Sequence, residues 1–397
     1  MNYGIVAEFN PFHNGHKYIV DTLRNKGENT VTAVMSESFV QRGEGACVSP
    51  NERVKMALSC GVDLVLSLPV AYATASAERF ADGGVQVLGS LGCIDSLGFG
   101  SESGNTEMLK ECAAALEKPE FTLFLEKRLN EGVSFPVARQ KALGDMCGES
   151  FAEVLGSPND ILGIEYIKAI NKNSFNINPF AIKRIGVSHD SKDVFENICS
   201  ASAIREMMKN ETDFSRYMPK ESADIFVASI RSGKALWDFS VVEKAILFKL
   251  RTMSADDFNK IPDVSEGLEF RFVEAVKTRV TLSEILEKVK TKRYTLSRLR
   301  RIVVNAFLDI TRDDVCEKVP YIRVLGFNSR GAQLLKDAKN KATLPVVTKA
   351  ADIKNLSFSA QKAFELECRA RDLYSLCLPV PDVCGKEMTD KLIVFKD

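Results

Sequence analysis

Short apolar runs open the chain at 4–6, 31–35, 63–68 and 96–99. Between them, the stretches 51–60 and 75–88 carry apolar residues at the three-and-four spacing of an amphipathic helix. Strand-like runs alternating with helical segments predict βαβ units, and these predict a parallel sheet. In such a sheet a ligand sits at the carboxyl ends of the strands, near the point where the strand order reverses. A helical section is expected over about 105–173, a further strand over 180–185 and a helix over 200–209. From about 212 amphipathic helices dominate as far as 309, and a mixed segment runs to 397. The expected fold is α/β: a doubly wound, Rossmann-like parallel sheet over 1–211, a helical domain over 212–312 and a small α/β region over 313–397.

Composition narrows the class of molecule. A chain of 397 residues, 45% hydrophobic and 27% charged, matches a globular protein of two or three domains with a sizeable core. No apolar run approaches the ~20 residues of a membrane span, and Met1-Asn2-Tyr3-Gly4 does not begin a secretory signal. The ten cysteines are scattered without a CxxC pair, which reads as reduced thiols and a cytoplasmic setting. Lys plus Arg and Asp plus Glu balance at 53 each, so any contact with nucleic acid must come from a local patch. One candidate exists. Residues 288–301 contain seven basic side chains and no acidic one, with Tyr294 among them. Lys290, Lys292, Arg293, Arg298, Arg300 and Arg301 read either as a phosphate-contacting face with an aromatic to stack a base, or as an ordinary solvated face.

The chemistry concentrates at 3–18, YGIVAEFNPFHNGHKY, where a short strand runs through a Pro-containing turn into a helix beginning near Asn14. His13 and His16, three apart on a first helical turn, point to one side. The free N–H groups of the helix start add partial positive charge there, making a site for triphosphate. Gly15 keeps the space over the helix backbone open to a nucleotide. Two imidazoles over an α-phosphate stabilise the charge that grows as pyrophosphate leaves. The chain has only three histidines, the third being His189, and no Cys or acidic partner sits at ligand spacing, so no metal site is expected. Later, Ser200-Ala201-Ser202-Ala203-Ile204-Arg205 reads as a helix N-cap with a cation one turn in; Ser202 and Arg205 are candidates to clamp phosphate.

HxGH after a first strand with SxxIR later resembles the nucleotidyltransferases related to class I aminoacyl-tRNA synthetases. The longer string GIVAEFNPFHNGHKY resembles the tRNA(Met) cytidine acetate ligase family, as do SFVQRGEGA at 38–46, DLVLSLPVAYATASAERFADGGV at 63–85 and CIDSLGFGSE at 93–102. SPNDILGIEYIKAI at 157–170, IKRIG at 182–186, TKRYTLSRLRR at 291–301 and YIRVLGFNSRG at 321–331 extend the likeness along nearly the whole chain. The resemblance implies a ligase that makes acetyl-adenylate from ATP and acetate. It then acetylates the exocyclic amine of the wobble cytidine of elongator tRNA(Met), with no membrane involved. The implied ATP site falls on Val6, Ala7, Glu8, Phe9, Asn10, Pro11, Phe12, His13, Asn14, Gly15 and His16, with Gly100 in a turn after the fourth strand, Asn159 and Arg184. His13 and His16 are the implied catalytic pair, and Mg2+ is expected with the ATP. Gln41, Arg42 and Glu44 form a polar loop that either holds acetate, closes the site or lies free on the surface. Phe9, Glu37, Gly45 and Asp160 depart from the family's pattern; Asp160 would add negative charge near a triphosphate if it faced the site. Two rival functions remain: transfer of a nucleotide to a small phosphate-bearing acceptor, and non-catalytic RNA binding.

Overall fold

The computed structural model describes residues 1–184 and 197–396, apart from the side chain of Lys26. His189 and the end of the 180–185 strand candidate lie outside the described residues. Five strands, β1 (Asn2–Ala7), β2 (Thr30–Ser36), β3 (Leu64–Leu68), β4 (Ser96–Ser101) and β5 (Asn178–Lys183), fall where the apolar runs place them. Three more come late in the chain: β6 (Ile322–Phe327), β7 (Val346–Val347) and β8 (Ile393–Val394). One sheet takes all eight in the order β8-β6-β3-β2-β1-β4-β5, with β7 beside β6. Within β1–β5 every pairing is parallel, and β6 joins β3 antiparallel.

Alternation sends neighbouring side chains of β2 to two different cores. Val31, Ala33 and Met35 pack with Val20 and Leu23 of the helix Asn14–Arg24 and with Val54 and Leu58 of the helix Pro50–Ser59. Val34 packs on the other side with Phe80 and Leu88 of the helix Ala77–Ser90 and with Ile164 and Ile167 of the helix Pro158–Lys172. Helices therefore cover both faces, as buried parallel strands require. The strand order turns about β1: the chain goes from β1 to β2 and β3 on one side, then crosses to β4 on the other. Pairing of β1 with β4 covers only Tyr3–Ser96 and Gly4–Leu97, while β4 follows β5 from Ser96–Asn178 to Ser101–Lys183. The sheet thus parts at the carboxyl ends of β1 and β4, where a doubly wound fold holds its ligand.

The helical region has its own core, built from Ile246, Leu250, Phe258, Phe272, Ile285, Leu299 and Ile302 among others. Phe39, Val40 and Ala46 of the segment after β2 enter the same core, as do Leu366 and Tyr374 of the helix Phe358–Cys377. Residues 313–397, expected as a region of their own, instead lend their strands to the first sheet. The cause is visible in β3, whose five residues are all buried and whose outer edge needs a hydrogen-bonding neighbour. Asp63 ties the join: its carboxylate accepts from the Val31 N–H (2.9 Å), Arg24 (3.0 Å) and the Asn328 side chain (2.9 Å). None of the ten cysteines is in a disulfide. No helix among the described residues is long and apolar enough to cross a membrane.

Candidate active site

The helix Asn14–Arg24 starts with an unusual cap in which a histidine does the work of Ser or Asp. His13 is the N-cap, with extended backbone (φ −135°, ψ 175°), and its Nδ1 accepts the Gly15 N–H at 3.0 Å. The Nδ1 of His16 accepts the His13 N–H in return at 3.2 Å, completing a reciprocal capping box. Both Nδ1 atoms are acceptors, so each neutral ring carries its proton on Nε2. The rings overlap face to face at a 31° tilt with centroids 3.8 Å apart, and Phe9 stands at right angles to His16 with centroids 5.1 Å apart. Burial first, and Arg184 second, pull the His13 pKa down to about 3. His16 is lowered well below its ordinary value by burial, then by His13 and Arg184. Both imidazoles are neutral N–H donors at physiological pH.

This cap changes two expectations. The amides of Gly15, His16 and Lys17 are already occupied by the ring and carbonyl of His13, so the side chains rather than the bare helix start are what the turn presents. A Cβ on residue 15 would lie 2.8 Å from His13 Cε1. Gly15 makes room for the His13 imidazole.

The two rings line a cleft of about 370 Å³ at the parting of β1 and β4. Val6, Ala7, Glu8, Phe9, Asn10, Gly100, Asn159, Arg184, Ser202 and Arg205 line it as well, so segments nearly 200 residues apart converge. Pro11, Phe12, Asn14 and Gly15 do not reach it. Phe12 is fully buried beneath His16, and the Asn14 amide donates to the carbonyls of Asn197 (2.8 Å) and Arg216 (2.9 Å). Gly100 lies within β4 rather than in a turn after it, and a Cβ there would press on Arg184 Cγ at 3.3 Å. The Asn159 amide donates to Glu102 Oε1 at 2.6 Å. Asp160 turns inward to Ser101 and the Ser103 N–H (3.1 Å), so its charge points away from the cleft.

The segment 39–45 is a hairpin, Phe39–Val40 against Glu44–Gly45, and it is pinned at both ends. The Gln41 N–H donates to Glu8 Oε1 at 2.6 Å. Burial raises the Glu8 pKa in spite of that bond and of Arg53, Arg205 and Arg42. Glu44 bridges two distant arginines, Arg205 (3.3 Å) and Arg300 (2.7 Å). Gly43, at φ +73°, lies against the backbone of Arg300 and Arg301, where a Cβ would stand 2.5 Å from main-chain atoms. Arg205 also donates to the Asn10 carbonyl at 2.8 Å, and its helix, Ala201–Lys209, is capped by Ser200 accepting from the Ala203 N–H at 3.2 Å.

The basic run 288–301 is largely spent on the protein itself. Arg298 donates to the Asp263 carbonyl (2.9 and 2.7 Å), Arg301 pairs with Asp263 (3.0 Å), and Lys288 pairs with Glu274 (3.2 Å). Tyr294 is buried with its hydroxyl on Glu266, so it offers no face to a base. Lys290, Lys292 and Arg293 are exposed. Two residues important to the cleft escaped sequence reasoning. Arg53, fully buried, holds the carbonyls of Glu8 and Ser36 at 2.7 Å each, bracing the ends of β1 and β2. Tyr166 lines the cleft, and its buried hydroxyl has no hydrogen-bond partner among the described residues. No local spacing marks either one.

The sequence profile of the HIGH nucleotidyl transferase family matches residues 1–389. The chain is 38% identical over 414 residues to the tRNA(Met) cytidine acetate ligase of Acetivibrio thermocellus, covering 99% of each. It is 41% identical over 380 residues to the ligase of the same name from Caldicellulosiruptor saccharolyticus, covering 94% of this chain and 93% of the relative. Its fold superposes with a TM-score of 0.92 on Thermotoga maritima TmcAL bound with alpha-thio ATP, at 34% identity and full coverage of both chains.

Proposed function

The chain belongs to the HIGH nucleotidyl transferase family, and within it to the tRNA(Met) cytidine acetate ligases, and from that premise we propose how its cleft performs a two-step acetylation. As a member of that family it is a ligase. In the first step ATP lies in the cleft at the parting of β1 and β4, and a carboxylate oxygen of acetate attacks the α-phosphorus. The bond from that phosphorus to the bridging oxygen breaks, and pyrophosphate leaves with the electron pair. In the second step the exocyclic amine of the wobble cytidine of elongator tRNA(Met) attacks the acetyl carbonyl of acetyl-adenylate. The carbonyl-to-phosphate-oxygen bond breaks, AMP leaves with the electrons, and water takes the amine's proton. The amine is a weak nucleophile because its lone pair is delocalised into the ring, and acetate is a weak electrophile. The mixed anhydride supplies the missing activation.

The observation that carries this reading is the paired imidazole cap. His13 and His16 offer two fixed Nε2–H donors with no change of net charge, and donors held before the reaction are worth most where phosphate charge grows. Net positive charge comes from Arg42, Arg184 and Arg205 along the cleft wall. Magnesium would arrive on the triphosphate as its counter-ion. Asn159 and Tyr166 are assigned to the nucleoside or the acetate, and a tRNA substrate puts the reaction in the cytoplasm.

Incubating the protein with labelled ATP, acetate and total tRNA tests the reading, with AMP, pyrophosphate and acetylated cytidine followed together. His16→Ala is expected to lower acetate-dependent ATP cleavage by about 10²–10³-fold, with the protein still folded and its thermal stability reduced only by the lost cap bond to the His13 N–H. Full turnover in a folded His16→Ala protein would remove the pair from the mechanism. Pyrophosphate without RNA acetylation would favour a small phosphate-bearing acceptor instead.

A further inference from the structure

A second cavity, about 480 Å³, adjoins the ATP cleft and shares Glu44, Ser202 and Arg205 with it. We propose that this cavity receives the acceptor base of the RNA, as an unstacked pyrimidine nucleotide, and that Trp237 is its stacking platform. The inference rests on the ligase reading above and adds to it the place where the second substrate enters.

Four features point to a nucleotide. The first is position: the two cavities meet at Glu44, Ser202 and Arg205, so a base held here lies beside the cleft of the adenylate. The second is shape and surface. Trp237 and Phe239 supply aromatic area, and Trp237 remains 40% exposed, which leaves part of the indole free to stack. The third is rigidity. The segment carrying Trp237 is held from behind, because the Leu236 N–H donates to the Cys47 carbonyl at 2.8 Å and Ala235 bridges Val48. A platform fixed in advance loses little freedom on binding. The fourth is polarity. Carboxylates of Glu206 and Glu243 stand in the lining to accept from ribose hydroxyls, while Arg300, paired with Glu44 at 2.7 Å, and Lys209, paired with Asp238 at 3.0 Å, set cations on the same lining for the backbone phosphate. The cavity volume falls in the roughly 300–1,000 Å³ range of small-molecule sites.

Trp237 is the only tryptophan in the chain, so the pocket carries its own reporter. An anticodon stem-loop with cytidine at the wobble position is expected to quench the intrinsic fluorescence of the full-length protein, whereas ATP alone leaves it unchanged. Trp237→Leu is expected to raise the KM for the RNA by about 5- to 150-fold, the loss of one stacked base, while acetate-dependent exchange of pyrophosphate into ATP continues at the unaltered rate. Trp237→Phe, which keeps a stacking face, restores most of the RNA affinity. Quenching by ATP alone, an unchanged RNA KM in Trp237→Leu, or loss of its exchange activity would each overturn the assignment. Failure of the ligase reading shows separately, as absence of acetate-dependent exchange in the unaltered protein.

Discussion

Two stretches of this chain point toward nucleotide chemistry, and they differ in where their partners lie. In the turn from β1 into the first helix, the His13 ring accepts from the Gly15 N–H and the His16 ring from the His13 N–H, two and three residues away. Around 298–301 the arginines find theirs at Asp263 and Glu44, 35 to 256 residues distant. A motif that contains its own partners keeps its geometry wherever the fold carries it. A charge run does not, because tertiary structure decides which charges face water. What reads as one RNA-facing patch divides three ways: Arg298 and Arg301 hold a loop, Arg300 holds the wall of the active cleft, and only the residues before them stay exposed.

Four measurements bear on this contrast. The largest effect is expected from Gly15→Ala. Its Cβ would stand 2.8 Å from His13, and a displacement of about 1 Å at a catalytic group costs roughly 10²-fold in rate. A fully active Gly15→Ala protein would separate the cap geometry from catalysis. Next, Arg301→Ala is expected to cost about 1–3 kcal/mol of unfolding free energy, because it strips a buried cation from Asp263; denaturant titration reads this, and tRNA affinity should hold. A stable variant with weakened RNA binding would restore Arg301 to the patch. Replacing Lys290, Lys292 and Arg293 together by Ala is expected to reduce tRNA affinity several-fold at low salt and to flatten its salt dependence, with adenylate formation intact. Equal salt slopes for the two proteins would place the RNA elsewhere. The smallest change is one that should not occur: two of the three imidazoles should show no titration in NMR spectra from pH 8 to pH 5, with Nδ1 unprotonated. The folded pKa values lie below the unfolded 6.5, so these groups contribute stability that is complete above pH 6.5 and is lost as pH falls toward about 3. Ordinary titration of all three would dissolve the neutral-donor picture.

Much of the fold was legible because buried parallel strands are short and continuously apolar. The five runs that became β1–β5 stand out between amphipathic helices, and the HxGH turn lies where the first of them ends. The late strands did not stand out in the same way. In β6 only Ile322, Val324 and Gly326 are buried, and β7 and β8 are two residues each. β6 pairs with β3, some 250 residues upstream, and β7 and β8 pair with β6 in turn, so no local pattern foretells the join. Asp160 is a similar case. Its charge looked threatening beside a triphosphate until Ser101 and Ser103, nearly 60 residues earlier, were seen to turn it inward. Arg53 and Tyr166 act through burial, a property conferred by everything around them.

The antiparallel seat of β6 beside β3 also has a consequence for the order of synthesis. The edge of β3 is complete early, yet the strand that covers it begins only at Ile322. At roughly 5–20 residues per second, a ribosome needs on the order of 10–50 s to reach it. Through that interval the nascent chain carries an open strand edge, apolar but for Ser67, the surface on which wrong pairings start. A chain ended before residue 322 should therefore aggregate and bind hydrophobic dyes where the full chain does not.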